Sequence, residues 1–225
     1  MNELVKNKIM KSSWTDKALI EIIGAIRDSL FKKGECSLMI TGGRAAHQLY
    51  SAWAAIPEYL SLINQVQIYF GDERYIPCDH PDSNFLLFKS TFFPQGLPQD
   101  VSINKMYLSG VNIGEAADVY AARLPEKIDV LLLSVGDDGH IASLFPFSES
   151  LGEMERRVVP FIDQRIRHPR LTITPQVVLS AENVFVLAIG DVKETIFKKL
   201  LDSPLDILSL PARLVLGRKW ILNIV

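Results

Sequence analysis

The chain is short of cysteine, of long apolar runs and of positive charge, and each shortage closes off a class of function. Its 225 residues include two cysteines. Cys36 and Cys78 lie far apart and match no metal-binding or redox spacing, so they read as reduced thiols of a cytoplasmic protein. No apolar stretch approaches the ~20 residues needed to cross a bilayer. The formal net charge of −2 argues against nucleic acid or an anionic membrane as the main partner. The first fourteen residues are Lys-rich and lack both a continuous apolar segment and a small-residue cleavage site, so they are not read as a signal peptide. Neither a GxGxxG fingerprint nor a P-loop occurs, so any bound phosphate is expected to belong to a substrate. The four histidines, His47, His80, His140 and His168, show no ligand spacing, and no metal is expected. There is no internal repeat, no low-complexity segment and no linker long enough to split the chain. One domain over residues 1–225 is the economical reading.

What is present is alternation. Residues 16–33 carry Leu19, Ile22, Ile23, Ile26 and Leu30 at the helical period, and Gly34 follows Lys32 and Lys33 as a stop. Strands are expected at 37–40, 66–70, 128–135, 184–189 and about 220–224, with a short one at 171–174. Helices are expected at 45–55, 85–92, 113–124 and from Asp191 to Leu201, the second of these capped from Asp82-Ser83-Asn84. Strands and helices in alternation imply an α/β fold, a mostly parallel sheet covered on both faces. Most arginines of the 156–170 segment are expected to be solvated, leaving one or two to meet an acidic substrate.

The chemistry gathers at the carboxyl ends of the strands, where open α/β sheets bind ligands. Ile128 to Val135 is a continuous apolar run. It gives way at once to Gly136-Asp137-Asp138-Gly139-His140. His140 is thus placed for proton transfer, with Asp138 as its partner. Gly42-Gly43-Arg44 links a strand to a helix, an arrangement that points backbone N–H groups at an anion. Asp72-Glu73-Arg74 is a charged cluster directly after a strand, either a site, because the cost of burying it must be offset by partners, or an exposed loop with an internal salt bridge. Lys193 falls in the first turn of a helix, where the dipole disfavours a cation unless an anion is bound nearby.

Read together, these segments resemble the 6-phosphogluconolactonases of the glucosamine-6-phosphate isomerase/6-phosphogluconolactonase family. The resemblance runs in order through Thr41-Gly42-Gly43, Gly71-Asp72-Glu73-Arg74, Pro77 and Ser83-Asn84. It continues through Gly136 to Pro146, Pro169-Arg170-Leu171-Thr172, Gly190 with Lys193, and Leu210-Pro211-Ala212. It implies a three-layer α/β sandwich like that of the sugar-phosphate isomerases and deaminases. It also implies hydrolysis of 6-phospho-D-glucono-1,5-lactone to 6-phosphogluconate, in the oxidative pentose phosphate pathway, without cofactor or catalytic metal. On that reading His140 is the general base and Asp138 assists it. Gly42, Gly43, Arg44, Asp72, Arg74, Arg170 and Lys193 bind a small sugar-phosphate lactone. A monomer or small homo-oligomer is compatible with it.

The sequence departs from the family pattern at three places. The usual Ser-Gly-Gly-Ser-Thr-Pro loop is Thr41-Gly42-Gly43-Arg44-Ala45-Ala46 here, a usual glycine is Ser134, and a usual aspartate is Asn223. Two rivals follow. A glucosamine-6-phosphate deaminase would carry a glutamate five residues after the histidine, where this chain has Phe145. A non-catalytic sugar-phosphate binding protein would need the cations but no base.

Overall fold

The structure, a computed structural model, describes residues 13–202 and 206–223, excluding the side chains of residues 191–194, 202 and 223. The expectations for the first twelve residues and for Ile224 therefore lie outside the described residues.

Helix α1 (Trp14–Lys33) begins and ends as its sequence dictates. The Ser13 hydroxyl accepts from the Asp16 amide while the Asp16 carboxylate accepts from the Ser13 amide, a reciprocal cap. Gly34, at φ 74°, closes the other end with its N–H on the Leu30 carbonyl. The stripe of Leu19, Ile22, Ile23 and Ile26 is buried.

Among the described residues, six parallel strands form the central sheet. In chain order they are β1 (Ser37–Ile40), β2 (Gln67–Phe70), β4 (Ser102–Ile103), β5 (Val130–Ser134), β8 (Asn183–Ile189) and β9 (Lys219–Asn223), and in space they run β4-β2-β1-β5-β8-β9. Val130, Leu131, Leu132 and Leu133 are all fully buried. That is why this stretch reads as an unbroken apolar run rather than an alternating one: both faces of the strand are covered. The covering helices include α2 (Arg44–Ala54), α4 (Asn84–Phe92), α5 (Ile113–Arg123) and α7 (Asp191–Asp202), with short helices α3 (Pro57–Leu60) and α6 (Pro175–Ser180) between strands. Ser83 caps α4 as expected, its hydroxyl accepting from the Leu86 amide.

A second, antiparallel sheet was not anticipated. It joins β3 (Asp72–Arg74), β7 (Arg170–Ile173) and β6 (Val158–Phe161) in the order β3-β7-β6. The charged cluster Asp72–Arg74 is thus a strand, not an exposed loop. Its alternation is of one polar side chain with another, which hydrophobic periodicity does not register. Pro160 sits on the edge strand β6, the place in a sheet where proline is tolerated.

Gly71 is the single residue between the two sheets. Its N–H donates to Ile40 of the parallel sheet at 2.9 Å, and its carbonyl accepts from Ile173 of the antiparallel one at 2.9 Å. The register beyond this joint pairs Asp72 with Thr172, Glu73 with Leu171 and Arg74 with Arg170.

Candidate functional site

The turns after β1, β5 and β8 lie side by side because those strands are neighbours in the sheet. After β5 the chain folds back tightly. The Gly136 N–H donates to the His140 carbonyl at 2.8 Å and the Gly139 N–H to the Gly136 carbonyl at 3.1 Å. Gly139 adopts φ 86°, a left-handed conformation that side-chain-bearing residues rarely take. Ala142, two residues past His140, is also left-handed at φ 48°, the kind of local strain that surrounding structure must hold in place. Gly136 is required for a different reason. A methyl group there would lie 2.7 Å from Cγ of the His140 ring and closer still to Nδ1 and Cε1.

The imidazole of His140 is fixed on two sides. Its Nδ1 lies 2.6 Å from Oδ1 of Asp138, which also accepts from the His140 amide at 3.0 Å. Burial works against ionisation of Asp138, but the hydrogen bonds and charge from His140 prevail and hold its carboxyl at about 2. A ring whose Nδ1–H is committed to a carboxylate keeps Nε2 as its acceptor. The His140 ring also lies against Phe145, with centroids 4.3 Å apart and planes 32° from parallel, and Phe145 stacks in turn on Phe161 at 4.9 Å.

Arg170 approaches the same Phe145 ring, its guanidinium carbon 5.4 Å from the centroid. Arg74 and Arg170 are directly opposite each other in the β3–β7 ladder, where like charges repel. Burial pushes the Arg170 guanidinium below its ordinary value. Asp72 opposes that shift and Arg74 reinforces it. Oδ2 of Asp72 lies 3.7 Å from Nη1 of Arg170 and accepts the Ser143 hydroxyl at 2.7 Å. The Nε–H groups of Arg74 and Arg170 are both buried with no hydrogen-bond partner among the described residues, a cost of about 1–3 kcal/mol each. Two opposed cations with unpaired donors have the charge and the free N–H groups to take an anion.

Arg74, His140 and Arg170 line one cavity of about 400 Å³ together with Gly42, Gly43, Arg44, Asp72 and Gly190. Gly42 has no room for a side chain because Asn84 fills the space, donating to the Asp72 carbonyl at 2.9 Å. Gly43 precedes α2 with φ 93°, and no side chain caps that helix. Its first amides are therefore unsatisfied within the helix. Arg44 is exposed at the cavity mouth. Ser134 donates to the Gly42 carbonyl at 3.2 Å, tying two of the turns together.

A family model described as glucosamine-6-phosphate isomerases/6-phosphogluconolactonase matches residues 10–222. The chain belongs to this family. A 6-phosphogluconolactonase of Pseudomonas aeruginosa is 34% identical over 177 residues, 75% of this chain and 72% of that one. A 6-phosphogluconolactonase of Synechocystis sp. is 27% identical over 219 residues, 92% and 88% of the two chains. The crystal structure of a 6-phosphogluconolactonase from Shewanella baltica has the same fold, with a TM-score of 0.81 at 22% identity over 94% of this chain and 92% of that one. The α/β expectation and the family resemblance are both met.

As a glucosamine-6-phosphate isomerase/6-phosphogluconolactonase family member, the chain brings most of the expected site residues to one cavity. Gly42, Gly43, Arg44, Asp72, Arg74, His140 and Arg170 all line it. Asp138 does not. Its carboxylate instead meets Nδ1 of the imidazole. Lys193 falls in the first turn of α7, and its side chain lies outside the described residues, as does that of Asn223. Of the arginines in the 156–170 segment, Arg156, Arg165 and Arg167 are exposed as expected. Arg157 instead clamps the carbonyls of Leu124 and Pro125.

Several residues escaped the sequence reading. Glu73, 3% exposed, accepts from the amides of Arg74, Asn84 and Phe85 and from the Ser83 hydroxyl, fastening the start of α4 to β3. Ser143 and Asn84 brace Asp72 and Gly42, and Phe145 links the imidazole to Arg170. Only the short motif spacings hinted at them.

Proposed function

We propose that the protein hydrolyses 6-phospho-D-glucono-1,5-lactone to 6-phosphogluconate, as the names of its relatives suggest, in the oxidative pentose phosphate pathway. The observation that carries this reading is the shared cavity. An imidazole oriented through Nδ1 and the Arg74–Arg170 pair, with unpaired buried donors, line it together.

The lactone binds with its phosphate on Arg74 and Arg170, assisted by Lys193, by Arg44 at the mouth and by the amides at the start of α2. Phosphate binding fixes the distant carbonyl, so that energy from the non-reacting end supplies orientation at C1. Nε2 of His140 removes a proton from water as the water oxygen bonds to C1. The tetrahedral intermediate then collapses, the bond between C1 and the ring oxygen breaks, and the imidazolium returns its proton to that oxygen. Asp138 keeps the ring in the required tautomer and stabilises the imidazolium. A lactone is an activated ester, so one base suffices.

Phe145, packed between His140 and Phe161, occupies the position at which a family deaminase is expected to carry its glutamate, and this disfavours deamination. We place the reaction in the cytoplasm and assign it to a single domain spanning residues 1–225. Support comes from the free thiols of Cys36 and Cys78, and from the fact that no helix among the described residues is long and apolar enough to cross a membrane.

The deciding experiment measures turnover of freshly generated lactone, corrected for spontaneous hydrolysis, in wild type and His140→Ala. Turnover is expected to fall by about 10²–10⁴-fold, with 6-phosphogluconate affinity kept within about tenfold. Undiminished turnover removes His140 from the mechanism. A wild type that binds the product and turns nothing over makes the protein a binding module.

A further inference from the structure

Outside the cavity, a second group of ligating side chains assembles that no short spacing announces. His80, Asp82 and His168 each offer one ligand atom, and these three atoms lie within 4.8 Å of one another, all half-buried. Two loops create the group. The segment after β3 turns through hydrogen bonds from His80 N–H to the Pro77 carbonyl and from Ser83 N–H to the His80 carbonyl. The Tyr75 N–H then bonds the Pro169 carbonyl at 2.8 Å, laying this loop beside the one that leads into β7. The imidazoles of His80 and His168 meet edge to face at 5.2 Å. Nε2 of His168 lies 2.9 Å from Oδ2 of Asp82, and Nδ1 of His80 accepts the Asp82 amide at 3.0 Å.

We propose that His80, Asp82 and His168 form a binding site for a divalent first-row metal of the zinc class. Two imidazoles and one carboxylate form a donor set suited to such ions, and three protein ligands leave a position open to water. The lone pair on Nδ1 of His80 points toward Asp82 and is available once the amide releases it. Nε2 of His168 becomes a ligand when its proton moves to Nδ1, or is lost to solvent if the ring starts as imidazolium. Metal binding thus exchanges two hydrogen bonds within the cluster for three metal–ligand bonds.

None of the three residues lines the cavity, so the role is structural. The site sits immediately behind the cationic wall. Arg74 donates through Nη1 to the Asp82 carbonyl at 2.6 Å, and His168 stands two residues before Arg170. A metal there fastens the β3 and β7 loops together behind both guanidinium groups. One feature opposes it: Arg167, whose side chain is 77% exposed, reaches Oδ2 of Asp82 at 3.1 Å and competes for that oxygen.

The test uses the untagged full chain, titrated with Co²⁺ and followed by its visible absorption, with Zn²⁺ as competitor. One equivalent is expected to bind. His80→Asn and His168→Asn, each checked for native fold by circular dichroism, should weaken binding by at least about tenfold, the lower range seen even for outer-shell changes. His140→Gln should leave it unchanged, which separates this site from the imidazole in the cavity. Arg167→Gln should tighten it by about two- to fivefold, the range of an exposed ion pair. This last variant alters only an exposed side chain and decides the matter if either histidine variant unfolds. The proposal is overturned by no Co²⁺ binding at millimolar metal, by binding that survives in both folded histidine variants, by loss of binding in His140→Gln, or by unchanged or weaker binding in Arg167→Gln.

Discussion

Replacing Gly136 with alanine tests whether the position of the His140 ring controls turnover. Gly136 does not occupy the left-handed region, so alanine costs nothing there in backbone strain, and the effect is purely steric. The added methyl would stand 2.7 Å from Cγ of His140, whereas ordinary contact begins at 3.4 Å. Cγ must therefore retreat by about 0.7 Å and the two nearer ring atoms by more, on the order of 1 Å for the ring as a whole. It cannot retreat freely, because Phe145 packs at 4.3 Å on its face and Asp138 holds Nδ1 at 2.6 Å. A base displaced by about 1 Å loses on the order of 10²-fold in rate. Arg74 and Arg170 are untouched, so on the proposed reading 6-phosphogluconate affinity should stay within about threefold. Overpacking should also lower stability by about 1–3 kcal/mol. The assay pairs corrected lactone turnover with product titration and urea unfolding. Full turnover in a folded Gly136→Ala protein would refute the claim that the precise seat of the imidazole governs the rate.

Three further outcomes are expected. Asp138 is held at about 2 against an ordinary 3.8, so its ionised form supports the fold. That contribution is complete above about pH 4 and disappears as the pH falls toward 2. For a side chain 49% exposed it amounts to about 1 kcal/mol after screening, and Asp138→Asn should flatten the acid limb of a stability-against-pH curve by that amount. Arg74→Ala should raise KM about tenfold or more while changing kcat less, as steady-state kinetics will show; an unaltered KM takes Arg74 out of the anion site. Glu73→Ala leaves three amides and a hydroxyl without their acceptor and should cost about 3 kcal/mol in urea unfolding. A loss under about 1 kcal/mol would mean water replaces the carboxylate there.

The parallel sheet was legible because its buried strands are spelled as uniform apolar runs, Val130 to Leu133 being the plainest. The turn carrying His140 was legible because two glycines bracket a pair of carboxylates, with the histidine directly after, where such a strand ends. The antiparallel sheet was not. Strand β3 shows polar side chains on both faces, and Glu73 reads as exposed although buried amides satisfy it. The facing of Arg74 and Arg170 depends on a ladder between distant segments, which no local pattern encodes. For the same reason His80 and His168 showed no ligand spacing in the sequence yet meet in space. Asp138 was rightly paired with His140, but only the coordinates put it behind the ring rather than in the cavity.

The lone glycine joining the two sheets acts as a ruler. The imidazole belongs to one sheet and the guanidinium pair to the other, so the span between them is set where Gly71 is bonded to both. One residue inserted there would advance β3 by about 3.3 Å and turn its side chains over. Asp72 and Arg74 would then face α4, and Glu73 would point a carboxylate at the incoming anion. Substrates of other lengths are therefore better reached by altering the loop that carries Arg44 than by changing the chain at this joint.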